Sequence, residues 1–364
     1  MKPYNNLLMF SGGGSRLAYF LGCYAALFDH QRAPDVIVGS CGGSLAAWLV
    51  SQAPEPERLC DLLTSVAFYR VARSVWLPRR VGAAAWFQAA WRWWQTGNRA
   101  RLRRVHEGDD VATLLAHLQT YALFEPIGLL ERWLDDVADL AQSLPKRHAC
   151  VAPDVLISGS RMLESPCGAV LWQQLWFAPP KVCDFWRNHP PLCAVARHAP
   201  WRIARLAHVC ERHVPMLAVA VSICDMYYQA PVYVDDLGWC MGAVLDLQPV
   251  ERACDLAHTV WTEHKMPYSA VAHAAIGRVF GTNAHCRHAE MACFESPNTR
   301  IHRLPFADNA VVLRGDVATK TWDWRSGCLK VDWGSHAQFV QMMLAQWQYG
   351  YTRTADYCAR LGSC

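Results

Sequence analysis

Sixteen cysteines fall in the 364-residue chain without a single C-x-x-C pair, and no apolar run is long enough to cross a bilayer as a helix. The wide cysteine spacing excludes a zinc ribbon or a small disulfide scaffold, so no metal is expected. Net charge is also scarce: the formal value is +4, too small to mark a dedicated nucleic-acid binder, and nucleic acid is not expected as a partner. No G-x-x-x-x-G-K-[ST] or G-x-G-x-x-G motif occurs, so no nucleotide cofactor is expected. Before the apolar run Leu7-Leu8-Met9-Phe10 stands one lysine, and a glycine cluster ends that run, unlike a secretory signal; a reducing cytoplasm is the expected setting. Internal repeats and low-complexity tracts are absent. What remains is 52% hydrophobic and 18% charged with 17 tryptophans, a composition that excludes a disordered tail and can build one large α/β domain or two smaller ones.

Leu7 to Phe10 reads as a strand buried on both faces, ended by Ser11-Gly12-Gly13-Gly14. Leu17, Phe20, Leu21, Tyr24 and Leu27 or Phe28 then recur at helical spacing. Val36-Ile37-Val38 is a second buried strand, and Gly39-Ser40-Cys41-Gly42-Gly43-Ser44 leads into the apolar helix Leu45 to Val50. The first 52 residues are thus one βαβα unit, which calls for a parallel sheet because parallel strands need crossover connections.

From Phe68 to His106 there is no Asp or Glu, while Arg70, Arg73, Arg79, Arg80, Arg92, Arg99, Arg101, Arg103 and Arg104 alternate with Trp76, Trp86, Trp91, Trp93 and Trp94. Such a segment suits an interfacial helix, a lid or a docking face for an acidic partner; packed tryptophans with solvated arginines are the plainer account. Thr113 to Gln142 is again helical. Val155 to Ser158 and Met216 to Val221 are strand candidates, as is Val311-Val312-Leu313; Met266 to Val279 and Ala337 to Leu361 are helix candidates. The expected organisation is an N-terminal βαβα part over 1–65, a mostly helical insertion or lid over 66–210, and the remainder of the same domain over 211–364 with a closing helix.

Two glycine-rich strand-to-helix turns within thirty residues carry the chemistry. Gly39-Ser40-Cys41-Gly42-Gly43 has the form G-x-Nu-x-G of a nucleophile elbow, with Cys41 at a helix N-terminus where the dipole would favour thiolate. Gly39 and Gly43 let the turn close. Gly12, Gly13 and Gly14 offer backbone N–H groups with no Cβ in the way, an oxyanion hole to which Gly42 would add a donor, and Arg16 could steady the loop or attract an anion.

These motifs resemble those of the patatin-like lipid acyl hydrolases: a strand, a G-G-G-x-R/K loop, a helix, a strand ending in G-x-S-x-G, and later an Asp-Gly-Gly or Asp-Gly-Ala turn. Gly12-Gly13-Gly14-Ser15-Arg16 matches the first motif and Gly39-Ser40-Cys41-Gly42-Gly43 the second except for its nucleophile. Met266 to Ile276 looks like the family's helix ahead of the aspartate turn, with Phe306-Ala307-Asp308-Asn309-Ala310 following in order. The likeness covers residues 5–52 and, less closely, 214–315, and is absent over 66–210. It implies a three-layer α/β/α fold and a nucleophile–Asp dyad without histidine, formed here by Cys41 and Asp308, with Asp332 and Asp235 as rivals.

Cysteine in place of serine implies a thioester intermediate, which passes its acyl group to water, amines or thiols. The expected function is therefore acyl transfer from a lipid ester or thioester, a hydrolase or an acyltransferase. A membrane surface or acyl-carrier partner would dock through residues 70–104, with the chain cytoplasmic and peripheral at the membrane. The alternative is a non-catalytic protein that keeps the fold and binds membrane, carrier or nucleic acid through its Arg/Trp-rich segment. Among the histidines, His285-Cys286-Arg287-His288 with Cys293 matches no standard zinc module, and His273 could pair with Cys41.

Overall fold

A computed structural model describes residues 1–78, 110–124, 130–144, 151–211, 215–323 and 328–362. Strand β1 (Tyr4–Phe10) lies at the centre of a mainly parallel sheet, flanked on one side by β2 (Val36–Gly39) and on the other by β8 (Ala257–Glu263). The order runs β5 (His208–Cys210), β4 (Val170–Phe177), β3 (Asp154–Glu164), β2, β1, β8, β9 (Arg300–Leu304). β3 is parallel to β2 but antiparallel to β4, and a hairpin of β6 (Val232–Val234) and β7 (Gly238–Met241) joins the far half of β3.

Continuous apolar strands make sense because helices cover both faces. Leu8, Phe10 and Ile37 point into one core with α1 (Ala18–Asp29), α2 (Gly42–Gln52), α3 (Pro56–Leu63) and α4 (Val66–Ser74). Leu7, Met9, Val36 and Val38 point into the other. That second core is closed by α7 (Pro180–Asn188) and α9 (Val250–Leu256). The result is the three-layer α/β/α architecture expected from the motifs.

The remaining helices among the described residues are α5 (Val111–Tyr121), α6 (Leu130–Ser143), α8 (Pro215–Ile223), α10 (Ala270–Phe280), α11 (Ala284–Cys293), α12 (Asn309–Val312) and α13 (His336–Gly362). Two strand expectations fail. Met216 to Val221 lies within helix α8, because a fully buried apolar run looks alike in a strand and a buried helix, and Pro215 starts this one as a helix. Val311 and Val312 belong to the one-turn α12 and are exposed, so no sheet recruits them. The sheet also runs through the boundary drawn at residue 210: β3, β4 and β5 lie within 66–210 and continue it beyond β2. Of the Arg/Trp-rich segment, 79–109 lies outside the described residues.

Candidate active site

The carboxyl ends of the parallel strands β1, β2 and β8 converge, the usual place for a site in an open α/β sheet. There Cys41 links β2 to α2 with φ +50° and ψ −126°, a backbone conformation that costs a non-glycine residue roughly 1–3 kcal/mol. The surroundings hold it. Ser40 N donates to Phe10 O at 2.8 Å, Ser44 N and Oγ donate to Cys41 O at 2.9 and 2.6 Å, and Cys41 N donates to Ser222 Oγ at 2.9 Å. Gly39 and Gly43 do what the motif requires of them: a Cβ on Gly43 would lie 2.1 Å from Phe10 O, and one on Gly39 would lie 2.6 Å from Ser44 Cα.

The Gly12–Gly14 loop lies against this elbow. A Cβ on Gly12 would be 3.4 Å from the Cβ of Cys41, and one on Gly42 would be 3.0 Å from Gly14 N. Helix α1 begins only at Ala18, so the three glycines belong to the loop before it and not to its first turn. Among the described residues, their three amides donate to no protein acceptor, whereas the carbonyl of Gly12 accepts from Lys265 Nζ and that of Gly13 from Arg16 N. The Gly42 amide faces the sulfur. Arg16 has no carboxylate partner among the described residues.

The carboxylate at the thiol is Asp225. Cys41 Sγ donates to Asp225 Oδ2 at 3.1 Å, while Oδ1 is buried with no hydrogen-bond partner among the described residues. Asp225 follows the end of α8, and the strip Met241-Gly242-Ala243 supports it: Gly242 N donates to Cys224 O at 2.6 Å. A Cβ on Gly242 would lie 2.4 Å from Asp225 Oδ1. Burial pushes the Asp225 carboxyl up to about 7, against the opposing pull of the Cys41 hydrogen bond and of Lys265. Burial, and then the Asp225 charge and hydrogen bond, also push the Cys41 thiol well up; the Gly42 amide and Lys265 work the other way. The expected helix-dipole preference for thiolate is therefore overridden in the resting site by desolvation.

Asp308, the carboxylate expected from the motif order, is not brought to Cys41. It accepts from Tyr349 Oη at 2.7 Å and pairs with Arg353, lining a surface cavity of about 360 Å³ with His264, Arg303, Pro305 and Ala307. Burial opposes them, yet those hydrogen bonds and the Arg353 charge hold its carboxyl below the usual range. Asp332 accepts from Gly334 N instead. His273 stacks on His285 with ring centroids 4.1 Å apart; His285 and His288 bond the carbonyls of Tyr268 and Lys265. Among the described residues, no group of three or more His, Cys, Asp or Glu side chains is arranged to hold a metal ion.

A signal for Asp225 was present: it is the first charge after the apolar run Met216 to Cys224. Met241-Gly242-Ala243, which packs on Asp225, contains a Gly-Ala pair but carries no acid of its own.

A family model for patatin-like phospholipase matches residues 8–224. The chain belongs to the patatin-like phospholipase family. A patatin-like phospholipase domain-containing protein of Aspergillus oryzae is 36% identical over 92 residues, which cover 25% of this chain and 12% of that protein. One of Neurospora crassa is 35% identical over 92 residues, covering 25% and 10%. The chain thus spans about a tenth of the length of the curated relatives it matches. Similar solved structures include VipD from Legionella pneumophila (TM-score 0.34, 8% identity, 98% of this chain and 67% of that one). Another is the type III effector ExoU (TM-score 0.34, 13% identity, 99% and 53%). Asp225, Gly242 and Lys265 all lie beyond the matched segment. No helix among the described residues is long and apolar enough to cross a membrane.

Proposed function

We propose that this patatin-like protein is a lipid acyl hydrolase or acyltransferase working through a Cys41–Asp225 dyad and an acyl-cysteine intermediate. The observation that carries this reading is the 3.1 Å hydrogen bond from the elbow thiol to a buried carboxylate, set against a loop of unengaged backbone amides. Cys41 Sγ attacks the carbonyl carbon of an ester or thioester. The C–S bond forms, the carbonyl π pair moves to oxygen, and the thiol proton passes to Asp225 Oδ2. The new oxyanion is held by amides of Gly12, Gly13, Gly14 and Gly42. Collapse expels the alcohol or thiol, which takes the proton back from Asp225, and leaves acyl-Cys41 for water or another acceptor to attack.

A neutral thiol beside a carboxylate near 7 suits this sequence, because the proton needs to leave sulfur only as the C–S bond forms. Incubation with p-nitrophenyl butyrate and with an acyl thioester should give a mass adduct on Cys41 that is absent from Cys41→Ala. A wild-type protein that forms no such adduct with either donor refutes the proposal. Cys41→Ser should favour the oxygen ester over the thioester.

Docking of a membrane surface or an acyl carrier over residues 70–104, in a cytoplasmic and peripheral setting, belongs to the same proposal and draws on composition alone. A second reading, a binding protein without turnover, draws on the neutral buried thiol, a weak nucleophile at rest. Unimpaired cellular function of Cys41→Ala would favour it.

A further inference from the structure

We infer that Gln346, on the C-terminal helix α13, is a positioning residue that holds the glycine loop in its oxyanion-binding shape and so sets the rate of acyl transfer. The inference rests on the reading of that loop as the oxyanion site. Gln346 is wholly buried, on a helix face whose neighbouring inward positions are Phe339, Met343 and Tyr349. A primary amide at such a place costs free energy unless every polar atom is bonded. Here each one is. Gln346 Oε1 accepts from Ala18 N at 3.1 Å, and Nε2 donates to Ser15 O at 3.1 Å and to Asp316 O at 2.6 Å. The amide's orientation follows from chemistry, since Ala18 N can only donate and the two carbonyls can only accept.

These bonds grip the loop just past its glycines. At its other end Lys265 Nζ donates to Gly12 O and pairs with Glu263 at 3.3 Å; Glu263 also accepts from Ser11 Oγ and, at 2.7 Å, from Tyr19 Oη. Between the grips Gly14 has φ +57°, and among the described residues a Cβ there would meet nothing within 4 Å, so the loop is packed on its elbow side and open on the side where Gly14 would carry a side chain. A three-glycine segment is soft by itself. Oxyanion donors act best when fixed in advance, and the grips at the ends add to the local restraint of the Arg16 N to Gly13 O bond and the packing on Gly42. Helix α13 can supply it because its backbone touches α1 directly: a Cβ on Gly350 would lie 1.9 Å from Tyr19 O.

Two reactions of the same sulfur separate this role from general damage. Acylation by p-nitrophenyl butyrate passes through an oxyanion; alkylation by iodoacetamide does not. In Gln346→Leu, and in Gln346→Glu, which keeps the shape but loses both donors, acylation of Cys41 should fall about tenfold to a hundredfold. Alkylation should stay within about twofold. Acylation that does not fall, or falls only in step with alkylation, overturns the inference. A crystal structure of the wild-type protein with a trifluoromethyl ketone added to Cys41 gives a reading that needs no variant. The Gln346 bonds to Ser15 and Ala18 should persist with the ketone oxygen on the glycine amides, and a Gln346 turned away from the loop would overturn the inference. If wild-type Cys41 alkylates but never acylates, the acyl-transfer reading falls and takes this one with it. If wild type acylates and the variants match it, only the role of Gln346 falls.

Discussion

At the scale of single residues, the site turns on how burial treats a thiol and a carboxylate that share a proton. Asp225 must be ionised to receive the Cys41 proton, so acylation should rise with pH through about 7 and level off above it. Asp225→Asn should lower the acylation rate by about a hundredfold or more, an effect of the size seen when a positioned base is removed. Asp308→Asn should leave it within about twofold, because Tyr349 and Arg353 already occupy that carboxylate. The same burial has a stability cost whose sign is opposite to the usual carboxylate case. A folded-state value near 7 against an ordinary value of 3.8 means that the native state holds the extra proton between these limits. Stability from this group is therefore present below about 4 and is lost as pH rises to about 7. Asp225→Asn should raise Tm by several degrees relative to wild type at pH 8 and by much less at pH 4, which thermal unfolding at the two pH values would test.

At the scale of elements, the strand-to-helix turns are where local sequence and chemistry agree. The elbow needs Gly43 because Phe10 O occupies the space of its Cβ, so Gly43→Ala should destabilise the fold by about 3 kcal/mol or more, readable in urea unfolding. Gly242 is a different case, since the atom nearest its absent Cβ is the carboxylate of Asp225. Gly242→Ala should push that carboxylate off the thiol, reduce acylation about tenfold and flatten the pH dependence through 7. An unchanged pH profile in this variant would mean that Gly242 does not set the dyad. Helix α8 explains why the acid was hard to read. The nine residues from Pro215 to Ile223, apolar except for Ser222, carry no periodicity, and mistaking them for a strand hides the fact that their end delivers Asp225 to the elbow. Asp308, by contrast, sits in the right order along the chain and on the wrong part of the surface.

At the scale of the whole molecule, the sheet gathers residues far apart in sequence: Cys41 from β2, Gly12 from β1, Lys265 after β8 and Asp225 beside β7. The C-terminal helix then closes the assembly against α1, at a backbone approach where Gly350→Ala should cost about 3 kcal/mol or more in thermal or urea unfolding. The family match ends at residue 224, yet the acid Asp225, its glycine support Gly242 and the side chains that grip the glycine loop, Lys265 and Gln346, all come from beyond that limit. The second half of the chain is therefore as much a part of the site as the first.

The two glycine turns, their strands and the cysteine at the elbow tip were legible in order along the chain, because φ-permissive residues between buried strands and helices encode local backbone shape directly. Which carboxylate faces that cysteine was decided only when β7 folded back onto β3 and set Gly242 under Asp225. Whether the sulfur rests as thiol or thiolate was likewise a tertiary matter: the helix N-terminus is written locally, but the desolvation that outweighs it comes from the packing of the whole domain.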